Sequence, residues 1–166
     1  LAHDDAVDKS FLFLPGANEL IPACEFESDV DAFIAVDVPN LERLGDAARV
    51  HESAGAHFTL DHHAVESCMA EYNYVDPDAP ATGMLAWRLI GEMGVEPTFE
   101  MAQCCYLALM TDTGRFQFQN TTPEAFALAG EMVSAGARPE ECSQEIYQRR
   151  SAASLGLEGV MLSNMQ

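Results

Sequence analysis

The sequence predicts an α/β fold in which a parallel sheet carries helices on both of its faces. The first observation is a continuous apolar run, residues 32–36, that ends in Asp37, because such runs are typical of parallel strands covered on both sides. The second is a β-prone run, residues 57–60, that ends in Asp61 after an intervening helical segment. Further segments with helical apolar spacing follow residue 81.

Length and composition limit the class of protein. A chain of 166 residues is long enough for one core, and its 48% of hydrophobic residues excludes a disordered chain. Its apolar stretches are shorter than a membrane span, and no secretory signal pattern begins the sequence, so we expect a soluble, cytoplasmic protein without a membrane partner.

The charge is strongly acidic. Eight Lys and Arg residues against 27 Asp and Glu residues give a net charge of −19, which disfavours duplex nucleic acid as a partner. A phosphate-bearing substrate would therefore need local positive charge, most simply from metal ions. For most of the carboxylates the alternative, solubility alone, is sufficient. The five cysteines contain no CxxC pair, which argues against a zinc ribbon, and a disulfide framework is not expected here.

In the first half of the chain, residues 11–14 read as a strand running into a Pro15-Gly16 turn. Asn40 is suited to cap a helix over residues 41–54, with Leu41 and Leu44 facing inward. The strand over residues 57–61 follows, and residues 64–81 read as a loop.

In the second half, helices are predicted over residues 82–93 and 98–110, the latter nearly apolar all round and therefore buried. An alternating strand is predicted over residues 115–118. Thr122 and Pro123 open a further helix that Gly136 closes, another begins at Pro139, and residues 151–166 are helical.

The strand over residues 57–61 changes abruptly from core residues to Asp61-His62-His63. These three groups are costly to bury without partners, and neighbouring residues that leave a strand point in different directions. His62 and His63 are therefore expected to contact different partners, such as a metal ion and a substrate. The alternative is a solvated turn that contains two histidines.

Three acids lie at element boundaries: Asp37, Asp61 and Asp112. The carboxyl ends of parallel strands share one edge of a sheet, where ligands bind in open α/β folds, so Asp37 and Asp61 are expected to converge. Each could instead cap a following helix. Arg115 is either a surface residue or a phosphate clamp near these acids.

Carboxylates together with imidazoles suit divalent ions such as Mn²⁺, and the absence of a thiolate from the set argues against structural zinc. Acids that share a crevice repel one another unless cations neutralise them. Two neighbouring metals can activate water and stabilise a leaving oxygen, so the residues suggest metal-assisted phosphoester hydrolysis.

At this point the motifs resemble a known family. Asp61-His62-His63 resembles the signature of the DHH phosphoesterases, and residues 33–37 with Arg43-Leu44-Gly45 resemble their second motif. Residues 111–116, with Asn120-Thr121-Thr122 beyond them, resemble the fourth motif of the branch that contains the bifunctional oligoribonuclease and PAP phosphatase (nanoRNase, exopolyphosphatase-related) enzymes. Val75-Asp76-Pro77 and Ala81-Thr82-Gly83 also match that branch.

The resemblance implies roles for these residues. Asp37 would bridge two metal ions, His62 and Asp112 would be metal ligands, and His63 would contact the scissile phosphate. Asp61 would orient its neighbouring histidine. The implied cofactors are two Mn²⁺ in the complete enzyme, with Mg²⁺ or Co²⁺ as alternatives, and the implied substrate is a short RNA or a nucleotide phosphate such as 3′-phosphoadenosine 5′-phosphate.

The sequence also departs from the family pattern. The family's first motif, a His and two Asp on an early strand, and the glycine-rich motif of its second domain are not found. Residues 1–166 therefore read as a partial DHH catalytic domain, and we expect this segment alone to bind metal weakly and to have little activity.

Alternatives remain at this level. Within enzymes they are a manganese inorganic pyrophosphatase and a phosphodiesterase for the products of cyclic dinucleotides. Outside enzymes the alternative is a DHH-like domain that binds or regulates without catalysis. The oligomeric state, including a homodimer, is left open.

Overall fold

The computed structural model describes residues 7–27, 29–64 and 69–165, together with the backbone of residues 2–3. It is an α/β structure with two small parallel sheets. The strands are β1 (Ala2–His3), β2 (Ile21–Pro22), β3 (Phe33–Val36), β4 (His57–Asp61) and β5 (Tyr72–Val75). The α-helices are α1 (Ala48–Ser53), α2 (Thr82–Glu92), α3 (Phe99–Asp112), α4 (Pro123–Ser134), α5 (Pro139–Ser143) and α6 (Ala152–Ser163).

The larger sheet has the order β3-β4-β5, and both pairs are parallel. Val36 lies opposite Leu60, so the chain leaves β3 and β4 at the same edge of the sheet. This register confirms the expectation that Asp37 and Asp61 emerge side by side.

Both faces of this sheet carry helical segments, which confirms the predicted fold class. Ala35 is buried on one face with Leu44 and Ala47 of the segment that follows β3. Leu60 is buried on the other face against Leu85 of α2. The largest core lies beyond α2, where residues of α2, α3, α4 and α5 pack together.

The helix predicted over residues 41–54 is divided. Asn40 caps it as expected, since its side chain accepts a hydrogen bond from the backbone N–H of Arg43. However, the first part is a 3₁₀ helix (Leu41–Ala47), and Gly45 has φ 53° and ψ −129°, values outside the helical region. Leu41 is half exposed, whereas Leu44 is buried. The prediction that Leu41 faces inward was therefore wrong.

Three further local predictions were wrong. Residues 11–14 form the end of a 3₁₀ helix (Lys9–Phe11) and turns, because the Asp8 carboxylate accepts hydrogen bonds from the backbone and side chain of Ser10 and holds a tight turn. The segment predicted as a loop contains β5. Residues 115–118 are a turn, because Gly114, Arg115 and Phe116 all have positive φ.

The predicted helices of the second half are confirmed, with bounds that differ by at most three residues. Thr98 and Thr122 accept hydrogen bonds from the first turns of α3 and α4, and Gly136 follows α4 with φ 109°. The C-terminal helix α6 has no buried residue, and Leu155, Val160 and Leu162 are at least half exposed. No helix among the described residues is long and apolar enough to cross a bilayer.

The cysteines of α3 lie in its packed part. Cys105 is buried, and desolvation raises the pKa of its thiol to about 11, so it is a protonated core residue at neutral pH. Cys68 lies outside the described residues.

The crossing of α2 and α3 depends on Gly83. A Cβ at this position would lie 2.6 Å from Cβ of Ala108 and 2.9 Å from the carbonyl oxygen of Cys105. We expect Gly83→Ala to lower the free energy of unfolding by about 1 to 3 kcal/mol, because the helices would have to separate. Urea unfolding followed by circular dichroism measures this change.

Gly130→Ala in α4 is the matched control. Nothing lies within 4 Å of a Cβ at Gly130, so this variant should gain up to about 1 kcal/mol from helix propensity. Equal unfolding midpoints for the two variants would contradict the close-packed crossing.

Candidate functional site

The predicted site residues meet at the carboxyl edge of the larger sheet. Asp37 directly follows β3, Asp61 ends β4, and His62 and His63 come next. Asp112 is the last residue of α3, whose C-terminus reaches the same place. The structure thus brings together five of the six residues singled out from the sequence, and their roles stay predictions.

Asp61 holds the two histidines. It is 2% exposed, and its Oδ1 accepts hydrogen bonds from the backbone N–H groups of His62 (2.7 Å) and His63 (3.1 Å). The same oxygen lies 2.7 Å from Nδ1 of His63, and a proton on that nitrogen completes the bond. A buried carboxylate with this many donors orients the turn and the His63 ring, so Asp61 is poorly placed to bind a metal itself.

The His62 ring contacts a different group from the His63 ring. Its Nδ1 lies 3.1 Å from the carbonyl oxygen of Ala79, which can only accept, so Nδ1 carries the proton and donates. The lone pair of the neutral ring is then on Nε2. That atom lies 3.6 Å from Oδ1 of Asp37 and 3.9 Å from Oδ2 of Asp112.

Nε2 of His62 lies near an oxygen of each acid predicted as a metal ligand, Asp37 and Asp112. Ligand bonds of about 2.1 Å place neighbouring ligand atoms roughly 3 to 3.5 Å apart. Asp37, His62 and Asp112 would therefore have to move closer together to bind one ion. Two carboxylate oxygens and a neutral imidazole are a donor set that suits Mn²⁺.

His63 is an alternative third ligand to Asp112. Ligand atoms of Asp37, His62 and His63 lie within 4.8 Å of one another, which makes this group a geometric candidate for a metal. However, Nδ1 of His63, 3.9 Å from Oδ1 of Asp37, is already bonded to Asp61. That hydrogen bond occupies Nδ1 and leaves Nε2 of His63 free, so His63 could contact either a metal ion or a substrate through Nε2.

The carboxylates of Asp37 and Asp112 repel each other electrostatically. Burial, followed by the charge of Asp37, raises the pKa of the Asp112 carboxyl, while His62 and His63 act in the opposite direction. A cation between Asp37 and Asp112 would remove this repulsion.

Arg115 is the sixth predicted residue. Its guanidinium carbon lies 4.6 Å from the centre of the Tyr147 ring, a cation–π arrangement, and no ion pair joins it to a site acid among the described residues. Its role as a phosphate clamp stays a prediction.

Two side chains that support the site were not assigned roles from the sequence. The hydroxyl of Thr82 donates a hydrogen bond to Oδ1 of Asp37 at 2.7 Å. The side-chain amide of Asn120 donates to the carbonyl oxygens of Pro80 (3.2 Å) and Asp112 (3.1 Å), which joins the start of α2 to the end of α3. Both residues lie in segments that match the family, Ala81-Thr82-Gly83 and Asn120-Thr121-Thr122, and that match is the sequence signal that could have identified them.

The comparisons with known proteins agree with the motifs. The chain is 35% identical over 106 residues to the bifunctional oligoribonuclease and PAP phosphatase NrnA of Thermus thermophilus, a match covering 64% of this chain and 32% of the relative. It is 28% identical over 120 residues to the Bacillus subtilis protein of the same name, covering 70% and 38%. The chain thus spans about a third of the length of these curated relatives.

A solved structure shares the fold. An exopolyphosphatase-related protein from Bacteroides fragilis superposes with a TM-score of 0.91 and 25% identity, over 99% of this chain and 52% of that chain. No family model matches the chain. The relatives and the solved structure together confirm the resemblance predicted from the motifs: the chain is similar to the bifunctional oligoribonuclease and PAP phosphatase branch of the DHH phosphoesterases.

Proposed function

We propose that this chain provides part of the active site of a metal-dependent phosphoesterase. Its substrates would be short oligoribonucleotides, nucleotide phosphates such as 3′-phosphoadenosine 5′-phosphate, or both. The observation that carries the proposal is that the lone-pair nitrogen of His62 lies 3.6 Å from an oxygen of Asp37 and 3.9 Å from an oxygen of Asp112. The printed names of the relatives, an oligoribonuclease and PAP phosphatase, support the substrate class.

In this proposal, Asp37, His62 and Asp112 hold Mn²⁺, and Asp37 is suited to bridge two ions because its side chain is half exposed. Two such ions, when bound, activate the attacking water and stabilise the leaving oxygen. His63 is held by Asp61 through Nδ1, so its Nε2 is available to hydrogen-bond the scissile phosphate. Mg²⁺ or Co²⁺ are alternative ions for the same donor set.

The full-length protein that contains these residues tests the proposal with a panel of substrates. With Mn²⁺ we expect release of mononucleotide from a dinucleotide, or of phosphate from 3′-phosphoadenosine 5′-phosphate. Asp112→Ala should lower the rate by at least about 10²-fold. Loss of a residue that only supports a metal ligand can already lower activity by up to about 100-fold, and loss of a ligand should cost more. Glu92→Ala, at the exposed far end of α2, is the matched control and should keep the rate.

Two outcomes would count against this function. Unchanged rates in Asp112→Ala would remove Asp112 from the site. Hydrolysis of pyrophosphate alone would favour the manganese pyrophosphatase alternative.

Asp112→Asn should affect stability in opposite directions with and without metal. A carboxyl whose pKa is raised by folding favours the folded state most at pH values below its ordinary range, and this contribution is lost as the pH rises through the raised pKa. At pH 7 the charged Asp112 therefore opposes folding of the metal-free chain. The neutral Asn should raise the melting temperature by a few degrees, since about 1 kcal/mol corresponds to roughly 2 to 4 °C.

Thermal unfolding with and without Mn²⁺ checks this prediction. The advantage of Asp112→Asn should shrink as the pH approaches 3, where the wild-type carboxyl is also neutral. Added Mn²⁺ should stabilise the wild type and leave the variant nearly unchanged. A metal-free variant that melts below the wild type at pH 7 would contradict the electrostatic account.

His63→Ala separates substrate contact from metal binding. If Nε2 of His63 contacts the substrate and not the metal, as proposed, His63→Ala should leave Mn²⁺ affinity within about threefold of wild type, whereas turnover should fall by about 10²-fold or more. Isothermal titration with Mn²⁺ and a rate measurement at saturating metal report the two effects. A large loss of Mn²⁺ affinity would make His63 a ligand.

A further inference from the structure

Thr82 connects the start of α2 to the site. Its hydroxyl lies 2.7 Å from Oδ1 of Asp37, although 45 positions separate the two residues along the chain. Thr82 is 3% exposed, whereas the side chain of Asp37 is 50% exposed. A buried donor therefore holds a carboxylate that faces solvent.

The backbone at Asp37 does not by itself fix the orientation of its carboxylate. Its backbone has φ 60°, a left-handed conformation that is uncommon and costly for residues other than glycine. The terminal torsion of an Asp side chain is broad, so the backbone does not determine where the two oxygens point. A hydrogen bond from a fixed donor selects one orientation.

The hydrogen bond fixes the Asp37 oxygen that lies nearest to His62 in the candidate metal site. Oδ1, which accepts the hydrogen bond from Thr82, is the oxygen 3.6 Å from Nε2 of His62. The hydroxyl uses one lone pair of this oxygen, and the second lone pair of a carboxylate oxygen can bind a cation.

The donor itself is held in place. Ala81 is fully buried, and Gly83 packs against α3 so closely that a Cβ would lie 2.6 Å from Cβ of Ala108. Thr82 is β-branched, which restricts its own χ1 rotation. The hydroxyl does not cap its own helix, because the hydrogen bond goes to a different element, the end of β3.

We propose that Thr82 is a positioning residue that holds the Asp37 carboxylate in its metal-binding orientation. This inference rests on the metal site of the proposed function. Thr82 would not bind the ion itself. It would raise cation affinity by holding the Asp37 carboxylate in position. Loss of comparable supporting hydrogen bonds lowers metal affinity by about 10- to 100-fold.

The test uses Thr82→Val and Thr82→Ser in the full chain, with Mn²⁺ as the probe. Valine keeps the shape and removes the hydroxyl, whereas serine keeps the hydroxyl. Mn²⁺ affinity is measured by isothermal titration and by the paramagnetic resonance signal of free Mn²⁺, and metal-free stability is measured by thermal unfolding. We expect affinity to fall by about 10-fold or more in Thr82→Val and to recover within about threefold in Thr82→Ser.

Thr98→Val is the matched control. Thr98 caps α3 at the end opposite to Asp112, 14 helical residues and about 20 Å away, so its loss should lower stability without changing Mn²⁺ affinity. If Thr82→Val does not fold, Thr82→Ala provides a smaller variant without a hydroxyl.

The outcomes separate this inference from the proposed function. A wild-type chain that does not bind Mn²⁺ would overturn the metal site and the inference with it. A wild type that binds Mn²⁺, with equal affinity in a folded hydroxyl-free variant and in Thr82→Ser, would overturn the role of Thr82 alone.

Discussion

The convergence of three carboxylates at one edge of the larger sheet is the constraint on which the candidate site depends. Three acids meet there, and each is in a different environment. Asp61 is buried and receives several hydrogen bonds, Asp37 is half exposed with one bond from Thr82, and Asp112 has its pKa raised by burial and by Asp37. The first environment suits a structural support, and the other two are the kind that a cation would stabilise.

Helix packing sets the positions of these groups. Gly83 allows α2 and α3 to cross closely, and Asn120 joins the loop before α2 to the carbonyl group of Asp112 at the end of α3. Arg88 of α2 adds an ion pair with Asp76 after β5 and another with Glu124 of α4. Because β4 is packed against α2 through Leu60 and Leu85, the sheet edge and the end of α3 are held in one arrangement.

Much of the architecture was predictable from local patterns. The apolar strands that end in Asp37 and Asp61, and the capped helices that begin near Thr98 and Thr122, have strong signals because burial and capping impose them directly. The failures have physical causes as well. The exposed strand β5 lacks an apolar run, and its residues form a strand because they pair with β4.

The turn after Asp112 shows why alternation alone misled the prediction. Thr113 is fully buried, and its hydroxyl and carbonyl oxygens accept the backbone N–H groups of residues 116–118. These bonds replace the hydrogen bonds of a strand, and they hold three consecutive residues at positive φ.

The sequence by itself determined which chemical groups stand at the ends of buried elements, because hydrophobic patterning and capping act over a few residues. From that alone the acid and histidine set, the α/β class and the family resemblance were evident. Only the tertiary structure decided which histidine nitrogen carries a lone pair, which acid is buried and satisfied, and that a threonine from α2 reaches Asp37. Those properties arise between segments distant in the chain, where distance, burial and charge depend on packing and not on neighbouring residues.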